Sequence, residues 1–500
     1  MANRTAHLFG HAAARPDKIA VIAGDVRISF AELAARARSA AGFLATAGVG
    51  RGEHVGLWLA STPDFIIAEQ ALFLLGAVVT PLSILYRPGE VGHAVTCCDL
   101  RLIVTSADLS AKIAAEPPCP LIDFPGAGTD RPIGNARTPE IADVADEELA
   151  MLLLTSATTG KAKGVMLTHA NLAANYDRTP DWLGLTIDDI ILCALPLYNT
   201  FGLNQGINAM LVTGCSMVLL PRFDAERCIE AIATHRCTFL PAVPTMLQKI
   251  IDHPHASRET LGSLRTVMTG GAPVPSTLLK RLLEVAPGVR LLTGYGLTEG
   301  TALVTLIEVQ LDAEGAIARG RTIGCVLDGM TLAILDDEGR RLLPEEVGEI
   351  AVRGPNVMSG YFRAPEDSAA ALTDGWLRTG DIGYLDREGY AYIVDRKKDV
   401  IIRGGQNIYP ADIEEALYSA PGVAEAAVVA REDDVLGEVP VAFVAMQPGS
   451  TADVVGLLDH CRSMLANYKC PVAIEVMDEL PKGPTGKILR RALRPAKAVA

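Results

Sequence analysis

Zinc-type spacing is missing from this chain. Its ten cysteines are scattered, no C-x-x-C pair occurs, and Cys97-Cys98 is the only cluster. That argues against a zinc ribbon or a disulfide scaffold and leaves the thiols as small apolar core residues in a reducing compartment. Excess positive charge is missing too, because 45 Lys and Arg face 59 Asp and Glu, a formal net charge of −14. A diffuse acidic balance argues against nucleic-acid binding as the main role, while leaving room for one local basic pocket. The most apolar stretch, Ala71 to Tyr86, is interrupted by Gly76, Thr80, Pro81 and Ser83, and so is too short and broken to span a bilayer. The stretch Met1 to His7 lacks the basic-then-apolar layout of a signal peptide, so a cytoplasmic location is the expectation. No repeat or low-complexity tract appears, and 500 residues are too many for one core, which predicts two or more domains.

What is present is an alternation of helical and β-branched segments. An amphipathic helix reads over residues 30–48, a strand over His54–Ala60, a helix over Pro63–Leu75 and a strand over Ala77–Pro81. Short strands recur at Leu102–Thr105, Ile190–Leu195, Met217–Leu220 and Thr266–Met268. The pattern predicts an α/β protein with largely parallel sheets. After about residue 320 the texture changes to short alternating segments, at Met330–Leu335, Gly348–Arg353 and Tyr390–Val394, as in a small β-rich subdomain. The charged run Asp395 to Asp399 then reads as a linker. Beyond it lies a compact α+β pattern, with a helix over Pro410–Ser419, strands at Glu425–Ala430 and Val439–Met446, and a helix over Thr451–Leu465. The expected organisation is a large domain over 1–394, a hinge over 395–399, and a small mobile domain over 400–500.

The run LTSATTGKAKG, Leu154 to Gly164, carries four hydroxyls, two lysines and two glycines between two apolar segments. Glycines let the backbone approach a ligand, hydroxyls and N–H groups donate to oxyanions, and lysine adds positive charge, a combination suited to a polyphosphate. It is not the Walker loop, whose Gly-x4-Gly-Lys-Ser/Thr spacing is absent. A polar hairpin turn is the plainer reading of the same residues. Leu292 to Glu299 (LTGYGLTE) places glycines on both sides of Tyr295, which lets the ring lie against a planar base, and Glu299 offers oxygen ligation to Mg2+. TGGAP, Thr269 to Pro273, could approach the edge of the same base, and GWLRTGD ends in Asp381, a carboxylate able to accept from two ribose hydroxyls.

In this order the blocks carry more than any one alone. With LPLYNTFG, YIVDRKKDVIIRGGQNIYPADIEEAL and PKGPTGKILRRAL they make the chain resemble the adenylate-forming superfamily of acyl-CoA synthetases, nonribosomal-peptide adenylation domains and firefly-type luciferases. The resemblance runs from about Ala20 to Arg494 and is strongest to fatty-acyl- and aryl-CoA ligases. It implies ATP, Mg2+ and CoA as cofactors and co-substrates, and a carboxylic acid activated as acyl-AMP and passed to a thiol.

The resemblance also implies residue roles. Thr155, Ser156, Thr158, Thr159, Gly160 and Lys163 would cover the phosphates of ATP, and Tyr295 would stack on adenine beside Gly271, Ala272, Pro273 and Gly296. Thr298 would contact the α-phosphate and Glu299 the metal, while Asp381 and Arg396 would hold the ribose. Asn199, Phe201 and Gly294 would line the acyl pocket, Gly404 and Gly405 the pantetheine channel, and Lys398 would sit at the hinge. Lys487 would bridge the carboxylate and the α-phosphate.

Three departures stand out: Ala157 and Ala162 replace the glycine and proline usual in such loops, and Asn199 replaces a histidine. If position 157 needs a positive φ, alanine there costs about 1 kcal/mol. Amino-acid-activating members place an aspartate in the segment from Asn199, but no acidic residue occurs from Pro196 to Met217. A monocarboxylate with an apolar or aromatic tail is therefore expected. A carrier-protein thiol as acceptor, release of acyl-AMP, and nucleotide binding without turnover are the open alternatives, and a homodimer is an open assembly.

Overall fold

The computed structural model describes residues 3–113, 117–124, 139–155, 162–272, 274–320, 322–447, 449–482 and 488–494. Its first helix of length, Phe30–Thr46, starts where the chain offers a reciprocal cap: Ser29 Oγ accepts from Glu32 N, and Glu32 returns a bond to Ser29 N. Next come the strand His54–Trp58, the helix Pro63–Leu74 and the strand Val78–Pro81, within two residues of their predicted bounds.

Two large sheets carry the first 396 residues. The six-stranded sheet runs Leu121–Asp123, Leu102–Thr105, His54–Trp58, Val78–Pro81, Leu149–Leu154, Gly164–Thr168. All its pairs are parallel except the last, Leu149–Leu154 with Gly164–Thr168. The second sheet has 14 strands. Its middle is parallel, from Ser216–Leu219 through Ile190–Cys193, Phe239–Ala242 and Thr266–Gly270 to Arg290–Leu297. From Arg290–Leu297 onward the pairing turns antiparallel. The β-rich segment expected after residue 320 lies there, and its strands continue the long sheet rather than closing on themselves.

The strand Ala391–Arg396 extends two residues into the run read as a linker, so Asp395 and Arg396 belong to the large sheet and a turn follows over 397–399. Beyond it, five strands between residues 401 and 477 form a separate sheet. They pack on the helices Pro410–Ser419 and Val454–Met464 around Ile401, Ile413, Leu417, Val428 and Val444. All ten cysteines are free, and six of them are buried. Among the described residues no helix is long and apolar enough to cross a membrane.

Candidate functional site

One cavity of about 2340 Å³ lies at the C-terminal ends of the parallel strands and extends under the small domain. Ligands in open α/β sheets bind at such strand ends. The six-stranded sheet contributes Thr155, where Leu154 pairs with Gly164 and Thr155 N donates to Lys163 O at 3.0 Å. The long sheet contributes Gly271, Ala272, Gly294, Tyr295, Gly296 and Thr298. Asp381, Arg396 and Lys398 close one side, and Asn199 and Phe201 another. Ser156, Ala157, Thr158, Thr159, Gly160, Pro273 and Lys487 lie outside the described residues.

Tyr295, Asp381 and Arg396 form a bonded unit. The phenol of Tyr295 donates to Asp381 Oδ2 at 2.5 Å, and Arg396 Nε lies 3.1 Å from Asp381 Oδ1. Strand register brings the last two together, since Asp381 faces Arg396 across the antiparallel pair. Burial, and after it the Asp381 carboxylate, hold the phenol far above its usual range, so it remains a neutral donor. Burial, then the neighbouring Arg396, lowers the pKa of Lys398.

The glycines around Tyr295 have a reason that the sequence does not disclose. A Cβ at Gly294 would stand 2.3 Å from Thr305 O, and one at Gly296 would stand 1.8 Å from Ala302 O. The neighbouring strand Ala302–Glu308 crosses too close for any side chain, and the register shifts between Tyr295 and Gly296.

Glu299 and Lys163 sit just outside the cavity wall. Glu299 Oε1 accepts from Tyr361 at 2.9 Å, and the Lys163 ammonium lies 5.0 Å over the Tyr361 ring while pairing with Asp367 at 2.5 Å. Burial and the Glu299 carboxylate raise the pKa of Tyr361. Asn356 Nδ2 donates to Gly300 O at 2.9 Å, and the main-chain carbonyl of Asn356 accepts from Thr301 Oγ1 at 2.5 Å. Thr301 and Ala302 have φ of 54° and 85°, left-handed values that cost a non-glycine residue strain, so these bonds hold a tight turn behind Glu299. Sequence reasoning did not single out Tyr361, Asp367 or Asn356. Tyr361 falls in the run GPNVMSGYFR, Gly354 to Arg363, where a lone tyrosine reads equally as core.

Asn199 is the N-cap of the short helix Thr200–Gly202, its Oδ1 accepting from Gly202 N at 3.0 Å. The helix continues as a π-turn over Leu203–Asn208, a form frequent at functional sites. Past Phe201 the wall includes the apolar Val243, Met268, Leu278, Leu306 and Ile317, and Gln248, Lys249, Asp252 and His253 also border the cavity. Arg319 also borders the cavity, but Asp386 at 3.3 Å and Glu388 hold its guanidinium, which lies 3.9 Å over the Tyr390 ring.

Gly404 and Gly405 do not line the cavity. They are the two turn residues between Ile401–Arg403 and Gln406–Ile408, with φ of +57° and +81°, as a two-residue hairpin of this hand requires. From the small domain, Ile488 and Leu489 face the cavity.

The chain matches the family described as AMP-binding enzyme over residues 8–362, and the AMP-binding enzyme C-terminal domain over residues 412–487. It is 33% identical to the long-chain-fatty-acid–CoA ligase of Bacillus subtilis, over 97% of this chain and 93% of that protein. It is 35% identical to a feruloyl-CoA synthase of an Amycolatopsis species, over 96% of each. Among solved structures, ATP-bound MatB of Rhodopseudomonas palustris superposes with a TM-score of 0.90 at 32% identity, covering 99% of this chain and 98% of that one. The o-succinylbenzoate coenzyme A synthetase of Bacillus subtilis in complex with ATP and magnesium gives a TM-score of 0.86 at 32% identity, covering 97% of this chain and 98% of that one.

Proposed function

Because the chain belongs to the AMP-binding enzyme family, we propose that it is an ATP-dependent carboxylic acid–CoA ligase acting on a monocarboxylate with an apolar or aryl tail. The observation that carries the reading is the bonded unit of Tyr295, Asp381 and Arg396 in one cavity with the apolar side chains Phe201, Val243, Met268, Leu278 and Leu306. In the first half-reaction the acid's carboxylate attacks the α-phosphorus of ATP and pyrophosphate leaves. In the second, the CoA thiol attacks the acyl carbon of acyl-AMP and AMP leaves.

Tyr295 presents its ring to adenine, with Gly271, Ala272 and Gly296 beside it, and Asp381 and Arg396 hold the ribose. Thr155 and Lys163 flank the phosphates, and Thr298 faces the α-phosphate. Glu299 suits Mg2+, a hard cation that takes one or two protein carboxylates and keeps phosphate oxygens and water as its other ligands. Magnesium supplies charge neutralisation between phosphates when bound. Tyr361 fixes the Glu299 carboxylate by taking one oxygen as acceptor, and so orients the other.

A mass-spectrometric screen of CoA esters over aliphatic, aryl and dicarboxylic acids tests the reading, with holo-carrier protein as a rival acceptor. An aliphatic or aryl CoA ester is the expected product. Acyl transfer to the carrier alone, or no pyrophosphate exchange with any acid, would reject it.

Asn199 gives a narrower test. Asn199→Ala removes the cap, about 1 kcal/mol, and is expected to lower both melting temperature and adenylation rate. Asn199→Asp keeps the cap but sets an anion beside the substrate carboxylate, so melting should hold while adenylation falls. Thermal-shift and pyrophosphate-exchange assays read the two effects separately.

A further inference from the structure

The segment that follows Lys487 is tied by charge to the junction of the two domains. Arg490 Nη2 donates to Glu414 Oε1 and Oε2 at 2.8 and 2.7 Å. Its Nη1 lies 3.3 Å from Asp399 and 3.7 Å from Asp395, and Arg494 reaches Asp399 at 2.8 Å. These partners belong to different bodies. Glu414 is on the small-domain helix Pro410–Ser419, Asp399 follows Lys398, and Asp395 is on the large-sheet strand Ala391–Arg396.

Asp395 does more than face the arginine. Its Oδ2 accepts from Ala411 N, the second residue of helix Pro410–Ser419, at 2.9 Å, while Oδ1 accepts from Arg396 N at 2.7 Å. A carboxylate of the large domain, only 3% exposed, therefore caps a helix of the small one, at the end where the helix dipole favours an anion. Rotation about the turn over 397–399 would carry Ala411 and Arg490 away from Asp395, whereas Arg490 and Glu414 would travel together. Burial pushes the Asp395 carboxyl up to about 6, with Arg490 offsetting only part of that cost. Buried ion pairs stand close to break-even for this reason, which suits a contact made to be released.

The orientation held here serves the first half-reaction. Ile488 and Leu489, adjoining Lys487, line the cavity, and the Gly404–Gly405 turn does not. We infer that Asp395 and Arg490 are the two halves of a latch across the hinge, with Arg490 a positioning residue that keeps Ile488 and Leu489, next in the chain to Lys487, at the cavity during acyl-AMP formation. The latch rests on the ligase reading above and on Lys398 as the pivot.

The test uses the full-length chain and an acid it accepts. Asp395→Asn, Arg490→Met and Arg490→Lys are compared with wild type in pyrophosphate exchange and in thioester formation from synthetic acyl-AMP. Asp395→Asn and Arg490→Met should lower kcat for exchange by about tenfold, a barrier change of about 1.4 kcal/mol, with KM for ATP almost unchanged. Thioester formation should hold or rise, and Arg490→Lys should recover part of the exchange rate. Asp395→Asn leaves the Arg490–Glu414 pair in place, so it also reports should Arg490→Met fail to fold. Trypsin should cut after Lys397 and Lys398, in the turn over 397–399, faster in Asp395→Asn than in wild type. Equal loss of both half-reactions, a rise in KM alone, or unchanged cleavage would overturn the latch. A wild-type chain without exchange on any acid would instead reject the ligase reading.

Discussion

Lys487→Ala is expected to slow acyl-AMP formation by about 10²- to 10³-fold, the loss seen when a single oxyanion donor is removed. Thioester formation from supplied acyl-AMP should continue. The reason is charge. Attack of a carboxylate on a phosphorus brings two anions together, and catalysis of phosphoryl transfer is mostly positioning and electrostatics. Lys487 itself lies outside the described residues, but Lys482 and Ile488, which bracket it in the chain, are held by the fold. Lys482 and Ile488 form an antiparallel bridge, and the Lys482 ammonium is pinned by Glu425 at 2.6 Å and Glu479 at 2.7 Å. Ile488 then faces the cavity. Pyrophosphate exchange and thioester formation, assayed apart, check the expectation. Persistent adenylation in the variant would remove Lys487 from the first half-reaction.

Gly296→Ala should be nearly as damaging, through geometry rather than charge. The added methyl would lie 1.8 Å from Ala302 O and 2.7 Å from its carbonyl carbon. Those are backbone atoms of a paired strand, and Ala302 already sits at a φ of 85°, so neither side can yield cheaply. Overpacking of this kind costs about 1–3 kcal/mol or more. Tyr295 precedes the glycine, so the shift would displace its phenol from Asp381. We expect a lower melting temperature and a KM for ATP raised by about tenfold, equivalent to about 1.4 kcal/mol of binding. Gly10→Ala is the control, because a Cβ there meets nothing within 4 Å in the helix Ala6–Ala14. A Gly296→Ala enzyme with normal melting and normal KM would show that the two strands are looser than their spacing indicates.

Much of the architecture was legible because it follows from local periodicity. The helix Pro63–Leu74 and the strands at Leu102–Thr105 and Gly348–Arg353 fall where apolar spacing and turn residues place them. The candidate site was legible only as ordered blocks, and the cavity collects Thr155, Tyr295, Thr298, Asp381 and Arg396 from segments far apart in the chain. Tyr361 and Asn356 were not legible, since a side chain's partner across 62 or 56 residues leaves no local pattern. The hairpin turn calls for both Gly404 and Gly405 whether or not a thiol arm passes beside them, a requirement of backbone hand that their spacing alone does not reveal.

Composition and spacing were enough to read an α/β chain with a separate small domain, a hydroxyl- and lysine-rich loop, and an apolar segment free of acids after Asn199. These are properties of composition and spacing, readable without a third dimension. Packing in three dimensions governs what each residue touches. It turned Asn199 into a helix cap, made the glycines beside Tyr295 a matter of strand clearance, and set Asp395 under a helix of the other domain. Close approach between distant segments is a property of packing, so no window along the chain contains it.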